Sequence, residues 1–135
     1  MTEHISKIKG MNAEVQAKLE AEGIHHTGHL LEHTKTEKQR VELAKKVGAT
    51  PGAIKEYANR SDLIRLKGVG GDFSNLLEEA GVNSCKELQH RVPDKLYAKL
   101  VEIQATHKIA HHSPTLVLVT EWIAEAKALA HTSVE

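Results

Sequence analysis

Three glycines near the middle of the chain, Gly68, Gly70 and Gly71, are the residues whose spacing best suits chemistry. A short apolar-periodic segment leads into Gly68, and a second helical pattern starts at once and stops at Gly81. Two helices joined by so short a turn need backbone that adopts positive φ and approaches a neighbour closely, and glycine does both because it lacks a Cβ. The amides of Gly70, Gly71 and Asp72 would then be unpaired at a helix N-terminus, where they can receive an anion.

Ten histidines form the second group that could do chemistry. His29 and His33 have the i, i+4 spacing that places two imidazoles on one helix face. His107 and His111 share that spacing. Each pair offers only two ligands with no obvious third, so solvent-exposed histidines are favoured over a zinc or nickel site, and we predict no metal and no cofactor. Protonated histidines would add positive charge below about pH 6.5 and make anion binding depend on pH.

Catalysis has little support in the sequence. Cys85 is the only cysteine, and it follows a capping serine at a predicted helix N-terminus, a position that lowers a thiol pKa. No histidine partner is predictable for it, and a nucleophile needs a base within reach, so a structural or incidental thiol is the favoured interpretation. The sequence holds no Gly-Lys-Ser/Thr phosphate loop, carboxylate-pair signature or serine-centred elbow. We expect no enzyme activity.

The elements that would position these residues occur twice. Ile8-Lys9-Gly10 matches Leu66-Lys67-Gly68 at an offset of 58 residues. The same offset pairs further apolar and glycine positions, namely Val15 with Phe73, Leu19 with Leu77, Gly23 with Gly81, Ile24 with Val82 and Leu30 with Leu88. Such agreement without gaps indicates an internal duplication. We predict two helix-hairpin-helix units, residues 1–61 with a degenerate hairpin and residues 62–135 with a long C-terminal helix.

Helix signals account for the rest of the chain. Thr36 to Gln39 has the pattern of a capping box, and Ser113-Pro114 has that of a helix start. No segment alternates convincingly as a strand, so the fold is predicted to be all-α. The two units are expected to pack as one compact body with the hairpin apolar residues near a common core. Trp122 is expected between the units, in a last helix from about 113 to 130 that should be the longest.

Nearly the whole chain, from about residue 5 to 130, resembles the DUF4332 family, whose members are similar to helix-hairpin-helix proteins. The resemblance rests on these matching residues: Ile8-Lys9-Gly10, Gly23-Ile24, Asp62 through Gly70, Leu76 through Val82, and Trp122-Ile123. It implies a tandem helix-hairpin-helix fold with hairpins like those of SAM-like domains and DNA polymerase β. It implies no particular activity for the family.

In helix-hairpin-helix proteins the glycine turn donates amides to a nucleic-acid phosphate, with Lys or Arg beside it. The resemblance therefore implies these nucleic-acid contacts: Arg65, Lys67, Gly68, Val69, Gly70, Gly71, Lys9, Gly10 and Arg60. Two features depart from that pattern, since the first copy has Met11-Asn12 in place of the second glycine, and Glu14 and Asp72 would repel a phosphate. The alternative interpretation is that both turns are purely structural.

Composition limits the remaining choices. The 135 residues are 40% hydrophobic but only 3% aromatic, and the net charge is zero, with about +3 before Gly68 and −3 from it onward. This is not the strongly basic balance of a protein dedicated to gripping phosphate. No apolar run approaches the ~20 residues of a membrane span, and the first residues lack a signal-peptide layout, so we expect a cytoplasmic protein that does not contact membranes.

Two functions fit these observations. The first is a non-enzymatic module that binds nucleic acid, with DNA expected, weakly and without sequence preference through the turn at Gly68 to Gly71. The alternative is a protein-interaction or assembly adaptor with structural hairpins, in which the opposite charges of the two halves permit head-to-tail homo-oligomers.

Overall fold

The computed structural model describes residues 2–133, and over that range all regular secondary structure is helical apart from one isolated bridge between His4 and His26. Short 3-10 helices stand near both ends, at Ile5–Lys7 and Ala130–Thr132. The α-helices are α1 (Ala13–Ala21), α2 (Thr27–Glu32), α3 (Glu37–Val47), α4 (Pro51–Ile64), α5 (Gly71–Glu79), α6 (Cys85–Leu88), α7 (Pro93–His107) and α8 (Leu116–Leu129). The all-α prediction is confirmed.

The helix boundaries follow the offset of 58 residues seen in the sequence. Helices α1 and α5 are both nine residues long and begin 58 positions apart. A glycine with positive φ precedes each of them, Gly10 at +88° and Gly68 at +84°. Another follows each of them, Gly23 at +82° and Gly81 at +87°. The turns therefore have the same backbone conformation in both copies.

The packing of the helices is also repeated. In the first half α1 packs on α3, while α2 and α3 pack on α4. In the second half α5 packs on α7, while α6 and α7 pack on α8. Helix α4 additionally contacts α5 and so joins the two halves.

The apolar side chains form two main cores, so the prediction of one common core is wrong. Ile8, Val15 and Leu19 lie in the first core, whereas Val69 and Leu77 lie in the second. The reason is that a helical pattern identifies an inward face without identifying the partner of that face. One core is formed within each half.

Helix α4 contributes to both cores. Ile54 and Tyr57, near its start, belong to the first core, and Leu63, near its end, belongs to the second. The boundary predicted between residues 61 and 62 falls inside this continuous helix. Leu63 and Leu66 occupy in the second half the places that Ile5 and Ile8 occupy in the first.

Details of the C-terminal region differ from the predictions. Trp122 is 1% exposed and lies within the second core rather than between the halves. Thr115, not Ser113, caps α8 by accepting a hydrogen bond from the Leu118 N–H, so Pro114 precedes the helix. With 14 residues, α8 is shorter than the 15-residue α7.

In the first half, the capping box between Thr36 and Gln39 is confirmed. Within residues 2–133, no helix is long and apolar enough to span a membrane.

Candidate functional site

The turn between α4 and α5 is held by local hydrogen bonds and by a buried side chain. The Val69 N–H donates to the Leu66 carbonyl oxygen at 3.1 Å. The Val69 side chain is only 4% exposed, and Leu66 is fully buried. Gly68, by contrast, lies on the surface. The Val69 side chain therefore packs beneath the turn and is not exposed to a ligand.

The outer backbone of the turn is attached to α8. The Lys67 N–H donates to Glu125 Oε1 at 2.9 Å. The Lys67 carbonyl accepts from the Trp122 indole N–H at 3.1 Å. The backbone N–H of Lys67 is therefore already hydrogen-bonded within the protein, and only the side chain of Lys67 is exposed to a ligand.

The first turn of α5 is open, whereas its counterpart in the first half is closed. Asn12 is the N-cap of α1, and its side chain accepts a hydrogen bond from the Val15 N–H at 2.8 Å. Gly70 is the N-cap of α5 and has no side chain to do this. An uncapped helix N-terminus leaves amide donors without an intrahelical partner. The second copy thus lacks the side-chain cap that accepts from the Val15 N–H in the first copy.

These amides lie beside a cleft of about 250 Å³. One wall is the start of α5, and the other is the α7–α8 loop, which contributes His111 and His112. Both histidines are exposed, and the ring of His112 lies 5.8 Å from that of Phe73. Backbone amides and imidazoles therefore face the same space, and both groups can bind an anion.

The sequence predictions did not associate these histidines with the glycine turn. The α7–α8 loop spans residues 108–115, whereas the equivalent α3–α4 loop spans only residues 48–50. The loop of the second copy is therefore five residues longer. A loop insertion in one copy of a repeat is a signal for a local function.

Two carboxylates oppose an anion at this cleft. Asp72 is exposed in the first turn of α5. Glu3 approaches from the N-terminal segment, with its Oε1 at 3.9 Å from the position that a Cβ on Gly70 would occupy. Both carboxylates therefore work against anion binding at this cleft.

Gly71 has a packing role of its own. A Cβ on this residue would fall within 3.0 Å of the Lys7 carbonyl oxygen, closer than side-chain carbons approach in real proteins. The 3-10 helix Ile5–Lys7 of the first half thus rests directly on the start of α5. A glycine is needed here whether or not a ligand binds.

The two arginines predicted to contact nucleic acid are engaged internally. Arg60 is 9% exposed and donates to Asn75 Oδ1 at 3.2 Å, with Glu78 Oε2 at 3.7 Å. Arg65 forms an ion pair of 2.5 Å with buried Asp62 and contacts α8 and the final 3-10 helix. Neither arginine is therefore part of the candidate surface. Composition alone does not distinguish an arginine that is paired inside the protein from one that is exposed.

The turn of the first half lies at the surface, where both of its predicted contact residues, Lys9 and Gly10, are exposed. The Gly10 carbonyl accepts from the Tyr57 hydroxyl at 3.2 Å, which anchors the turn to α4. Lys9 occupies the place in the first copy that Lys67 occupies in the second. An exposed lysine thus stands at each turn.

The histidine pairs do not form matched ligand sets. His33 is the C-cap of α2, and its Nδ1 lies 2.8 Å from the carbonyl oxygen of His29. His107 is the last residue of α7, and His111 lies in the loop beyond it, so this pair is not on one helix face. No group of three or more His, Cys, Asp or Glu side chains within residues 2–133 is arranged to hold a metal ion.

Cys85 is buried, and the expectation of a lowered thiol pKa at this position is wrong. Burial raises the pKa of Cys85 to about 12, and the Asp62 carboxylate adds to the shift. The Cys85 N–H donates to Asp62 Oδ2 at 2.8 Å. The thiol therefore stays protonated near neutral pH, which is unsuitable for a nucleophile.

Comparison with known proteins gives one finding. No curated protein and no solved structure matches the chain. The sequence model of one family, described as "Domain of unknown function (DUF4332)", matches residues 9–129 and so covers most of the chain. The chain belongs to the DUF4332 family.

Proposed function

We propose that this protein is a non-enzymatic tandem helix-hairpin-helix module that binds the nucleic-acid backbone without sequence preference. In this proposal the second hairpin consists of the end of α4, the turn at Gly68 and helix α5. The first consists of the 3-10 helix Ile5–Lys7, the turn at Gly10 and helix α1. The matching positive φ values of the two turn glycines support this equivalence.

The observation that carries the proposal is the open first turn of α5 beside the cleft with His111 and His112. A phosphate at a helix N-terminus accepts hydrogen bonds from free amides and is favoured by the helix dipole. Exposed Lys67 and Lys9 would supply charge at the two turns. Contacts of this kind position a protein on nucleic acid but do not read bases.

Weak binding follows from the same geometry. Two lysines that neutralise about two phosphates give a log–log salt slope of roughly −2 for duplex DNA. Asp72 and Glu3 oppose the phosphate at the cleft. Replacing Asp72 with asparagine should therefore tighten binding.

The sharpest test exchanges the caps of the two copies. Gly70→Asn would place a side-chain oxygen over the amides of α5, as Asn12 does in α1, and the backbone at Gly70 (φ −105°) accepts a side chain. We expect this variant to bind a mixed-sequence duplex several-fold more weakly while losing no stability. The reverse variant, Asn12→Gly, is the matched control and should bind no more weakly than the parent protein. A Gly70→Asn variant with unchanged affinity would exclude the amides as the contact.

Fluorescence anisotropy with a labelled duplex of about 20 base pairs at low salt measures these changes. Lys67→Glu should weaken binding about tenfold, whereas Lys45→Glu, an exposed lysine on α3, should change it less than about twofold. Affinity that survives about 0.5 M salt unchanged would contradict the proposal.

A second candidate function is a protein-interaction adaptor. Leu116 and Val117, at the start of α8, are 40% and 69% exposed. The Leu118 side chain beside them would contact a Cβ on Gly68 at 3.7 Å, so this apolar pair adjoins the glycine turn. Adjacent exposed apolar residues are a feature of partner surfaces. Light scattering of the parent protein and of Val117→Asp would reveal self-association that depends on this surface, and a parent protein that stays monomeric would rule out homo-oligomers.

A further inference from the structure

We propose that a separate cavity at the C-terminal end of α8 binds a small compound with two or more phosphate groups. The cavity has a volume of about 620 Å³, within the range of ligand pockets. Its basic lining residues are Lys35, Lys86, Lys127 and His131. No carboxylate side chain lines it within residues 2–133.

The four basic residues come from separate elements. Lys35 lies in the α2–α3 loop of the first half, Lys86 on α6, Lys127 in the last turn of α8, and His131 in the final 3-10 helix. All four are exposed. Among residues 2–133, none of the three lysines forms an ion pair with a carboxylate. Both halves of the protein therefore contribute lysine side chains to one concave site.

Two of the lining residues, Thr132 and Ser133, belong to a partly buried polar network that holds them in place. Ser133 Oγ donates to Asp62 Oδ2 at 2.5 Å and accepts from the Lys86 N–H at 3.2 Å. Thr132 Oγ1 accepts from Arg65 at 2.7 Å. Asp62 is fully buried and paired with Arg65, so its negative charge is compensated within the protein. The Thr132 and Ser133 hydroxyls are used by this network, so Lys35, Lys86 and Lys127 are the lining groups that can offer a ligand a full positive charge.

A structural role for these cations at the end of α8 does not explain the arrangement. Positive side chains often stabilise the carbonyl groups of a helix C-terminus. Here the Leu129 carbonyl already accepts from Arg65 Nη2 at 3.3 Å and from Thr132 Oγ1 at 3.0 Å. Lys35 and Lys86 moreover belong to other elements. A polyanion is the ligand class that three converging lysines favour, because each ammonium group offers three donors and a full charge.

Inorganic tripolyphosphate is a suitable probe, and isothermal titration of the 135-residue chain measures its affinity. The double variant Lys86→Ala/Lys127→Ala should weaken binding at least about tenfold, because two of three charges are removed. Lys95→Ala/Lys99→Ala, two exposed lysines on α7, is the matched control and should change the affinity less than about twofold. Circular dichroism melts establish that both variants stay folded.

Further measurements distinguish binding at this cavity from binding at the start of α5. Lys67→Glu should leave tripolyphosphate binding unchanged, so this proposal can fail or succeed independently of nucleic-acid binding. Equal weakening by both lysine pairs would show diffuse attraction and would overturn the assignment. The absence of binding at about 1 mM tripolyphosphate would do the same. Displacement of tripolyphosphate by the DNA duplex, at equal phosphate concentration, would assign the cavity to a nucleic-acid backbone and overturn the small-molecule ligand.

Discussion

Replacing Gly71 with alanine tests whether this glycine serves packing between the two halves. The added Cβ would fall within 3.0 Å of the Lys7 carbonyl oxygen. A backbone atom cannot rotate away as the end of a long side chain can. Either the 3-10 helix Ile5–Lys7 or the start of α5 must therefore shift, and the contact between the halves must change.

The magnitude is the difference between two opposing effects. Alanine in place of glycine stabilises a helix by about 0.5–1 kcal/mol, because less backbone entropy is lost on folding. Forcing an extra carbon into a packed contact costs about 1–3 kcal/mol, and a backbone neighbour places Gly71 near the upper end. We expect a net loss of roughly 2–2.5 kcal/mol, or about 7–9 °C in Tm for a chain of 135 residues.

Gly52→Ala is the matched control, because Gly52 also lies in the first turn of a helix. Its new Cβ would find no atom closer than Thr50 Oγ1 at 3.9 Å, an ordinary van der Waals contact. This variant should be as stable as the parent protein or about 0.5 kcal/mol more stable. Urea unfolding followed by circular dichroism compares the two. If Gly71→Ala proved as stable as Gly52→Ala, the packing role of Gly71 would be refuted.

Three further predictions concern the second half of the chain. Asp62→Ala should lower the free energy of unfolding by about 3–5 kcal/mol, since it leaves Arg65 without its buried partner, while exposed Glu102→Ala should change it by less than about 0.5 kcal/mol. The Cys85 thiol, with its pKa raised to about 12, should resist a disulfide reagent in the folded protein and react once urea unfolds it; fast labelling without urea would contradict its burial. Burial raises the pKa of Glu78 above 4.5 against the opposing effect of its arginine partner, so the stability that its protonation gives should be lost as pH rises from 4.5 through the raised value. Glu78→Gln should flatten this part of the urea-midpoint profile, and an equal effect of Glu79→Gln would count against the assignment to Glu78.

The repeated turns could be predicted from sequence because their causes are local. A glycine that adopts positive φ must appear wherever the chain makes this turn, and the apolar residues on either side recur with helical spacing. Gly10 and Gly68 therefore revealed the offset, and the bounds of α1 and α5 follow it. Nothing beyond neighbouring residues was needed.

The partners of buried groups could not be predicted in this way. In the sequence, Arg60 and Arg65 have the residue type expected of a basic surface. In the structure, Arg60 pairs with Glu78 and Arg65 pairs with Asp62. Whether an arginine is exposed depends on which helices pack over it, and that depends on contacts between residues distant in sequence. The same limit applies to the cores. The apolar positions were recognised, but their division into two cores was not.

The candidate site depends both on a local sequence pattern and on packing between residues distant in sequence. Its glycines were recognised from a local pattern, whereas His111 and His112 reach it only because α7 packs on α5 and α8 and places its following loop beside Gly70. The duplication makes the site interpretable, because the first copy is an internal reference for the second. At equivalent positions, Asn12 accepts a hydrogen bond from one amide of its own helix, that of Val15, and Gly70 provides no such side-chain cap. The second copy also has the longer loop beside this position, and these two differences between the copies are the ones that an anion site in the second copy would use.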